Sequence, residues 1–149
     1  MTTRNATTKT IAIIGGGVSG TLTALHLVRQ ETPARVILID QRPDFGLGQA
    51  YSTPSLRHLL NVPAGKISAL PNLPDHFLTW LREHHDPMAT EKTFAPRAVF
   101  GRYLQSLLAS TSAVEQEIAT VVDVRLHDSG AVLALDNGSE LQTCLFFTL

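Results

Sequence analysis

Apolar residues form two short unbroken runs early in the chain, Ile11-Ala12-Ile13-Ile14 and Val36-Ile37-Leu38-Ile39. Runs this short, without alternation, predict strands buried on both faces, as in parallel sheets. Between them Leu22, Leu25 and Val28 recur at helical spacing from Val18 to about Gln30, and Pro33 marks the stop. Strand, three glycines, helix, strand in roughly thirty residues predicts one βαβ unit with a right-handed crossover.

The pattern then changes. Residues 41–74 are irregular, with five prolines and with glycines at 46, 48 and 65. So long a loop inside a compact domain is functional or disordered, and its apolar content (Phe45, Tyr51, Leu59, Leu60, Val62, Ile67, Leu70) favours a loop folded against a core or a ligand. Asp75 is placed to cap a helix running through His84, with Phe77, Leu78 and Leu81 inward. After Pro96, Val99, Phe100, Tyr103, Leu104, Leu107 and Leu108 form an apolar stripe at i, i+3, i+4 spacing and predict a second amphipathic helix. From Ile118 onward three β runs follow, about 118–127, 131–135 and 140–147, joined at Asp128-Ser129-Gly130 and Asp136-Asn137-Gly138. Asn-Gly suits the positive φ of a hairpin turn, so these runs predict a three-stranded antiparallel meander.

Composition narrows the class without changing this picture. At 149 residues, 44% hydrophobic and 17% charged, the chain has the size and balance of one soluble globular domain. Residues 1–9 are expected to be a disordered tail and residues 10–149 one Rossmann-like domain. A net charge of −1 leaves no basic footprint for nucleic acid. Cys144 is the single cysteine, which excludes an intrachain disulfide and a Cys-x-x-Cys pair. The apolar run at Ile11 is too short for a signal peptide or a membrane span. A cytoplasmic protein with no membrane partner is expected, and the Asn5-Ala6-Thr7 triplet is read as a chance glycosylation match.

Gly15-Gly16-Gly17-Val18-Ser19-Gly20 satisfies GxGxxG directly after the first strand. Gly15 lets the chain turn sharply, Gly17 leaves room for a pyrophosphate, and Gly20 lets the helix pack closely on the sheet. The helix N-terminus, including Val18 and Ser19, offers N–H groups and a positive dipole end to the phosphates. Asp40 ends the second strand 20 residues after Gly20, where a carboxylate can accept hydrogen bonds from ribose hydroxyls, with Gln41 beside it. This context predicts dinucleotide binding. A Walker-type phosphate loop is excluded, because Thr21 follows Gly20 with no lysine between. A carboxylate at Asp40 repels a 2′-phosphate and disfavours NADP, whereas FAD and NAD both present a free hydroxyl. The meander favours FAD by analogy of fold, since a plain NAD domain would continue with βα units.

Four stretches, IAIIGGGVSGTLTALHL, FGLGQAYST, HLLNVPAGKISALPNLPDHFLTWL and FAPRAVFGRYL, closely resemble the N-terminal part of the FAD-NAD(P)-binding oxidoreductase family, flavoproteins with two dinucleotide-binding domains. The resemblance covers residues 10 to 105 well and the meander loosely. It implies an α/β Rossmann-like fold holding FAD, with Gly46-Leu47-Gly48 and the His58 to Pro63 stretch near the flavin. It also implies a backbone contact from about Val121 to adenine, and NAD(P)H as the partner cofactor of the complete protein. Proteins of this kind close the meander with a strand running into an Ala-Thr-Gly turn. Here the sequence ends Leu145-Phe146-Phe147-Thr148-Leu149. The closing strand and the second cofactor region are therefore expected to be lacking, as in a split or frameshifted product. The open sheet edge would then pair with a partner chain or with a second copy.

The remaining chemistry-bearing residues read more plainly. His76, His84 and His85 are taken as solvated helix-end histidines, with no acid or cysteine to complete a metal set. The Ser19 hydroxyl is assigned to a phosphate, because Thr21 breaks the Gly-x-Ser-x-Gly pattern of a nucleophile. Arg97 and Arg102 pair either with an anion or with solvent. Phe77, Trp80 and Tyr103 are assigned to core packing and Cys144 to a small buried site. No acid–base catalyst stands out, which agrees with redox chemistry carried by a flavin. Two functions stay open: an FAD-dependent oxidoreductase of unknown substrate, or an NAD-type module or non-catalytic fragment, the chain alone being expected not to turn over NAD(P)H.

Overall fold

A computed structural model describes residues 9–148; residues 1–8, with the Asn5-Ala6-Thr7 triplet and nearly all of the expected tail, and Leu149 lie outside the described residues. The chain divides into two compact units, one formed by residues 1–43 and 111–149 and the other by residues 44–110.

In the first unit, β1 (Lys9–Ile14), β2 (Ala34–Asp40), β3 (Val114–Ile118) and β7 (Leu145–Thr148) form a parallel sheet in the order β3-β2-β1-β7. Helix α1 (Val18–Arg29) makes the crossover from β1 to β2. The two apolar runs are the buried centres of β1 and β2, with Ala12, Ile13 and Leu38 fully inaccessible. A second sheet, β4 (Val121–His127), β5 (Gly130–Leu135) and β6 (Glu140–Thr143), is antiparallel. Leu133 and Leu135 of β5 pack with Ala12, Ile37, Ile39 and Ala119, so one layer of side chains joins the two sheets.

Three expectations for this unit need correction. The run 140–147 is two strands: β6 stays in the meander, and β7 crosses to lie parallel beside β1. The crossing is anchored on the Thr10 carbonyl, which accepts the Cys144 N–H at 2.9 Å and the Thr143 hydroxyl at 2.8 Å. A strand therefore does follow the meander, and the edges of the parallel sheet among the described residues are β3 and β7. Cys144 is exposed, because the change of sheet breaks the alternation that would have turned it inward. The expected helix from Val18 is α1, which buries Gly20, Thr21, Ala24 and Leu25 and leaves Leu22 and Val28 partly covered. Small residues bring the helix close to the strands.

The second unit holds the short helix α2 (Gly48–Tyr51), a 3-10 turn at Ala64–Lys66, α3 (His76–His84) and α4 (Arg97–Ala109). The long irregular segment is thus ordered. Phe77, Leu78 and Leu81 of α3 are buried, as are Val99, Phe100, Tyr103, Leu104 and Leu108 of α4. Phe77, Phe100 and Tyr103 form an aromatic cluster with centroids 4.9–5.5 Å apart. Helix α2 sits against α4 at Gly101, where an added Cβ would fall 2.6 Å from Leu47 Cδ2. Asp75 precedes α3 but its side chain makes no capping bond. Among the described residues no helix is long and apolar enough to cross a membrane.

Candidate functional site

The carboxyl ends of β1, β2 and β3 meet in one place because these strands are parallel and in register, Ile14 opposite Ile39 and Asp40 opposite Ile118. The sheet order also reverses here: the chain steps from β1 to β2 and β3 on one side, then returns to the other side of β1 as β7. Open α/β sheets bind ligands outside the strand ends at such a switch point. The glycine loop leaves β1 at that point.

Its conformation follows from the glycines. Gly15 has φ 112°, a region that side chains disfavour, and donates its N–H to the Ile39 carbonyl at 2.8 Å. A Cβ on Gly20 would lie 1.8 Å from the Gly15 carbonyl oxygen, so only glycine lets α1 start so close to the turn. Gly17 is different. It occupies the N-cap with φ −73° and ψ −164°, an extended conformation open to any residue.

The N–H groups of Gly17, Val18, Ser19 and Gly20 begin the helix and have no intrahelical acceptor. The first bond of the helix is from Thr21 N–H to the Gly17 carbonyl at 2.9 Å, no side chain caps this end, and the first turn contains no acid. A row of donors with the positive end of the helix dipole is thus available to an anion. Ser19 is exposed at this turn.

Asp40 stands beside the loop. Its Oδ2 accepts the Gly16 N–H at 2.7 Å, and its Oδ1 accepts the Arg42 N–H at 2.9 Å. Each carboxylate oxygen has a second lone pair, so the group can still accept two hydroxyl protons. The Arg42 guanidinium is 3.7 Å from Oδ1. Gln41 is exposed at the bend between them. The Asp40 carbonyl accepts the Ala119 N–H at 3.0 Å, which ties the segment entering β4 at Val121 to the same corner. Thr120 and Asp136 close that segment reciprocally: Thr120 N–H donates to Asp136 Oδ1 at 3.0 Å, and Asp136 N–H donates to the Thr120 carbonyl at 2.9 Å. The Thr120 N–H is the main reason the Asp136 carboxyl titrates below its ordinary range.

The structure therefore brings Gly15, Gly17, Val18, Ser19, Gly20, Asp40, Gln41 and Val121 to the carboxyl ends of neighbouring strands of the first unit. Gly48 belongs to the second unit, where it opens α2 with φ 52°. Arg97 there donates its Nε–H to the Leu59 carbonyl at 3.1 Å and its backbone N–H to the His58 carbonyl at 2.7 Å, so it ties the start of α4 to residues 58–59. His76 Nδ1 lies 2.9 Å from the Tyr103 hydroxyl, and His84 stacks on Trp80 at 4.6 Å. Sequence reasoning missed the Gly16 to Asp40 bond and the Ala119 tether. The only available signal for either was the position of the acid at the end of β2.

Residues 12–145 match the FAD-NAD(P)-binding family model. The chain is 25% identical over 154 aligned positions to the uncharacterized protein YdhS of Escherichia coli, a match that covers 91% of this chain and 29% of that one. Among solved structures, a flavin-containing monooxygenase from Stenotrophomonas maltophilia superposes with a TM-score of 0.66 at 20% identity, over 95% of this chain and 38% of that one. OTEMO in complex with FAD and NADP gives 0.63 at 15% identity, over 94% and 25%. At these identities the structural likeness speaks for the fold. The chain thus spans less than a third of its curated relative's length, and with the family model matched over nearly all of its residues it belongs to the FAD-NAD(P)-binding family.

Proposed function

We propose that this chain holds the ADP half of FAD. In this reading the diphosphate lies on Gly15–Gly20, the adenosine ribose on Asp40 beside Gln41, and the adenine edge against the backbone near Val121. The observation that carries the proposal is the uncapped, acid-free start of α1 with a carboxylate one strand away, bonded to the loop itself. Gly17 adds support: its backbone does not need glycine, so the lack of a side chain is best explained by close approach of a ligand.

FAD, when bound, supplies the hydride and electron chemistry. The residues of this chain bind and orient it. The N–H groups of Val18, Ser19 and Gly20 neutralise the diphosphate, and the Ser19 hydroxyl donates to a phosphate oxygen. Asp40, already held by two N–H donors, accepts from the ribose hydroxyls and repels a 2′-phosphate, so FAD and NAD are favoured here over NADP. The meander and the match with OTEMO, which was solved with FAD and NADP, favour FAD over NAD. Gly48 is assigned to the flavin side on the family resemblance.

The complete protein is then a flavin-dependent, NAD(P)H-linked oxidoreductase of the cytoplasm, with its second nucleotide site outside these residues. The test is to reconstitute the purified 149-residue chain with FAD and with NAD in parallel, desalt, denature, and chromatograph the released nucleotide. Stoichiometric FAD is expected. Retention of NAD with none of the flavin would replace this reading by an NAD-type module.

A further inference from the structure

Within the second unit a concavity of about 430 Å³ lies where α2 and the turn after it meet α4. Its α4 wall is the stripe Ala98, Arg102 and Gln105, spaced i, i+4, i+7, which is a different face from the buried stripe through Val99, Phe100, Tyr103 and Leu104. The opposite wall sets Leu47, Tyr51, Pro54 and Leu56 beside the smaller polar Ser52 and Thr53.

Three features point to a ligand. Arg102 is exposed, and its guanidinium makes no ion pair or hydrogen bond with any described residue; the partly buried Gln105 amide is likewise unpartnered. The two donors lie one turn apart on α4, on the same face as the small side chain of Ala98. Leu56 is 52% exposed although it lines a concave surface, so apolar area is left for something to cover. Tyr51 is held in place by its ring contact with Phe100, centroids 5.1 Å apart, so the apolar wall is preformed.

We propose that this concavity binds a small monocarboxylate with an apolar body, the carboxylate on Arg102 and Gln105 and the body against Leu47, Tyr51 and Leu56. One guanidinium balances one negative charge and presents a planar fork that matches a carboxylate. Arg102 is the only cation in the lining, so a dianionic phosphate would keep an unbalanced charge. The site uses residues of the second unit alone and does not depend on the nucleotide assigned above.

The experiment is a titration of the isotopically labelled 149-residue chain, without FAD, with octanoate, octanamide and inorganic phosphate, followed by amide and Arg Nε resonances. Octanoate should saturate shifts at Ala98, Arg102 and Gln105, and octanamide, which has the same body without the charge, should bind about tenfold more weakly. Arg102→Gln should weaken octanoate by a similar factor while the rest of the spectrum stays in place, since the side chain is exposed. Gln105→Leu should keep the body contact and weaken the carboxylate. Three outcomes would overturn the proposal: no saturable shift with octanoate, equal binding of octanamide, or phosphate binding at Arg102 as tightly as octanoate.

Discussion

The Gly16 N–H donates to Asp40 Oδ2 across 2.7 Å, joining the glycine turn to the acid at the end of the neighbouring strand. Asp40 therefore has two functions that substitution can separate. Asp40→Ala removes the acceptor and leaves a partly buried N–H unpaired, so unfolding in urea should show a loss of about 1–3 kcal/mol, and FAD binding should weaken by a further amount of the same order. Asp40→Asn keeps an oxygen for Gly16 and removes the charge. It should retain most of the stability and reduce the discrimination against a 2′-phosphate, measured as the ratio of 2′-phospho-ADP to ADP affinity.

Gly20 and Gly17 should respond in opposite ways. At Gly20 a Cβ would meet the Gly15 carbonyl at 1.8 Å, so Gly20→Ala must push α1 off the turn. A loss of about 1–3 kcal/mol is expected, the range for overpacking a close contact, read as a lower midpoint in thermal unfolding monitored by circular dichroism. An unchanged midpoint would mean that the helix does not start where it is described.

Arg35 and Glu115 tie β2 to β3 through two bonds of 2.6 and 2.5 Å. The hydrogen bond from Arg35 is the main reason the Glu115 carboxyl titrates below its ordinary value of 4.5. A carboxylate with a lowered folded pKa contributes stability that is fully present above 4.5 and is lost as pH falls through the lowered value. Both side chains are 47% exposed, so solvent screening limits the pair to about 0–1 kcal/mol. Glu115→Gln should cost that little at neutral pH, and the difference from the parent protein should vanish in acid. Urea midpoints at pH 7 and at a descending series of pH values below 4.5 check both parts.

Cys144 faces solvent at the crossing from β6 to β7. A thiol-specific reagent should modify it in the folded protein at a rate near that of the unfolded chain, because no unfolding step has to come first. Modification that appears only on denaturation would return it to the interior.

The parts of this fold that announced themselves did so through period and spacing. β1 and β2 are unbroken apolar runs around a glycine loop that has few other uses, and α4 carries a complete apolar stripe. β3 was invisible for the opposite reason. Val114-Glu115-Gln116-Glu117-Ile118 is an edge strand with mostly exposed side chains, and neither template of hydrophobic alternation finds it. The division of 140–147 into β6 and β7 also eludes a period-two pattern, which reports strand but not the sheet to which it belongs. In α1 the buried face is made of Gly20, Thr21, Ala24 and Leu25, and a search for large apolar residues finds only Leu25 of these. Within the candidate site the glycines and the acid were legible from the motif. The hydrogen bonds that join them depend on strand register, which the sequence does not state.

Whether the loop at Gly15–Gly20 carries the diphosphate of FAD is tested most directly by titrating FAD with the chain and its Gly17→Val variant, following flavin fluorescence, with ADP and NAD as competitors. A valine at 17 suits the local φ of −73° but would project into the diphosphate position. Saturable FAD binding to the parent chain, displaced by ADP, is expected, and none to a Gly17→Val protein whose circular dichroism is that of the parent. Equal FAD affinity of the two proteins, or tight NAD binding with no affinity for FAD, would contradict it.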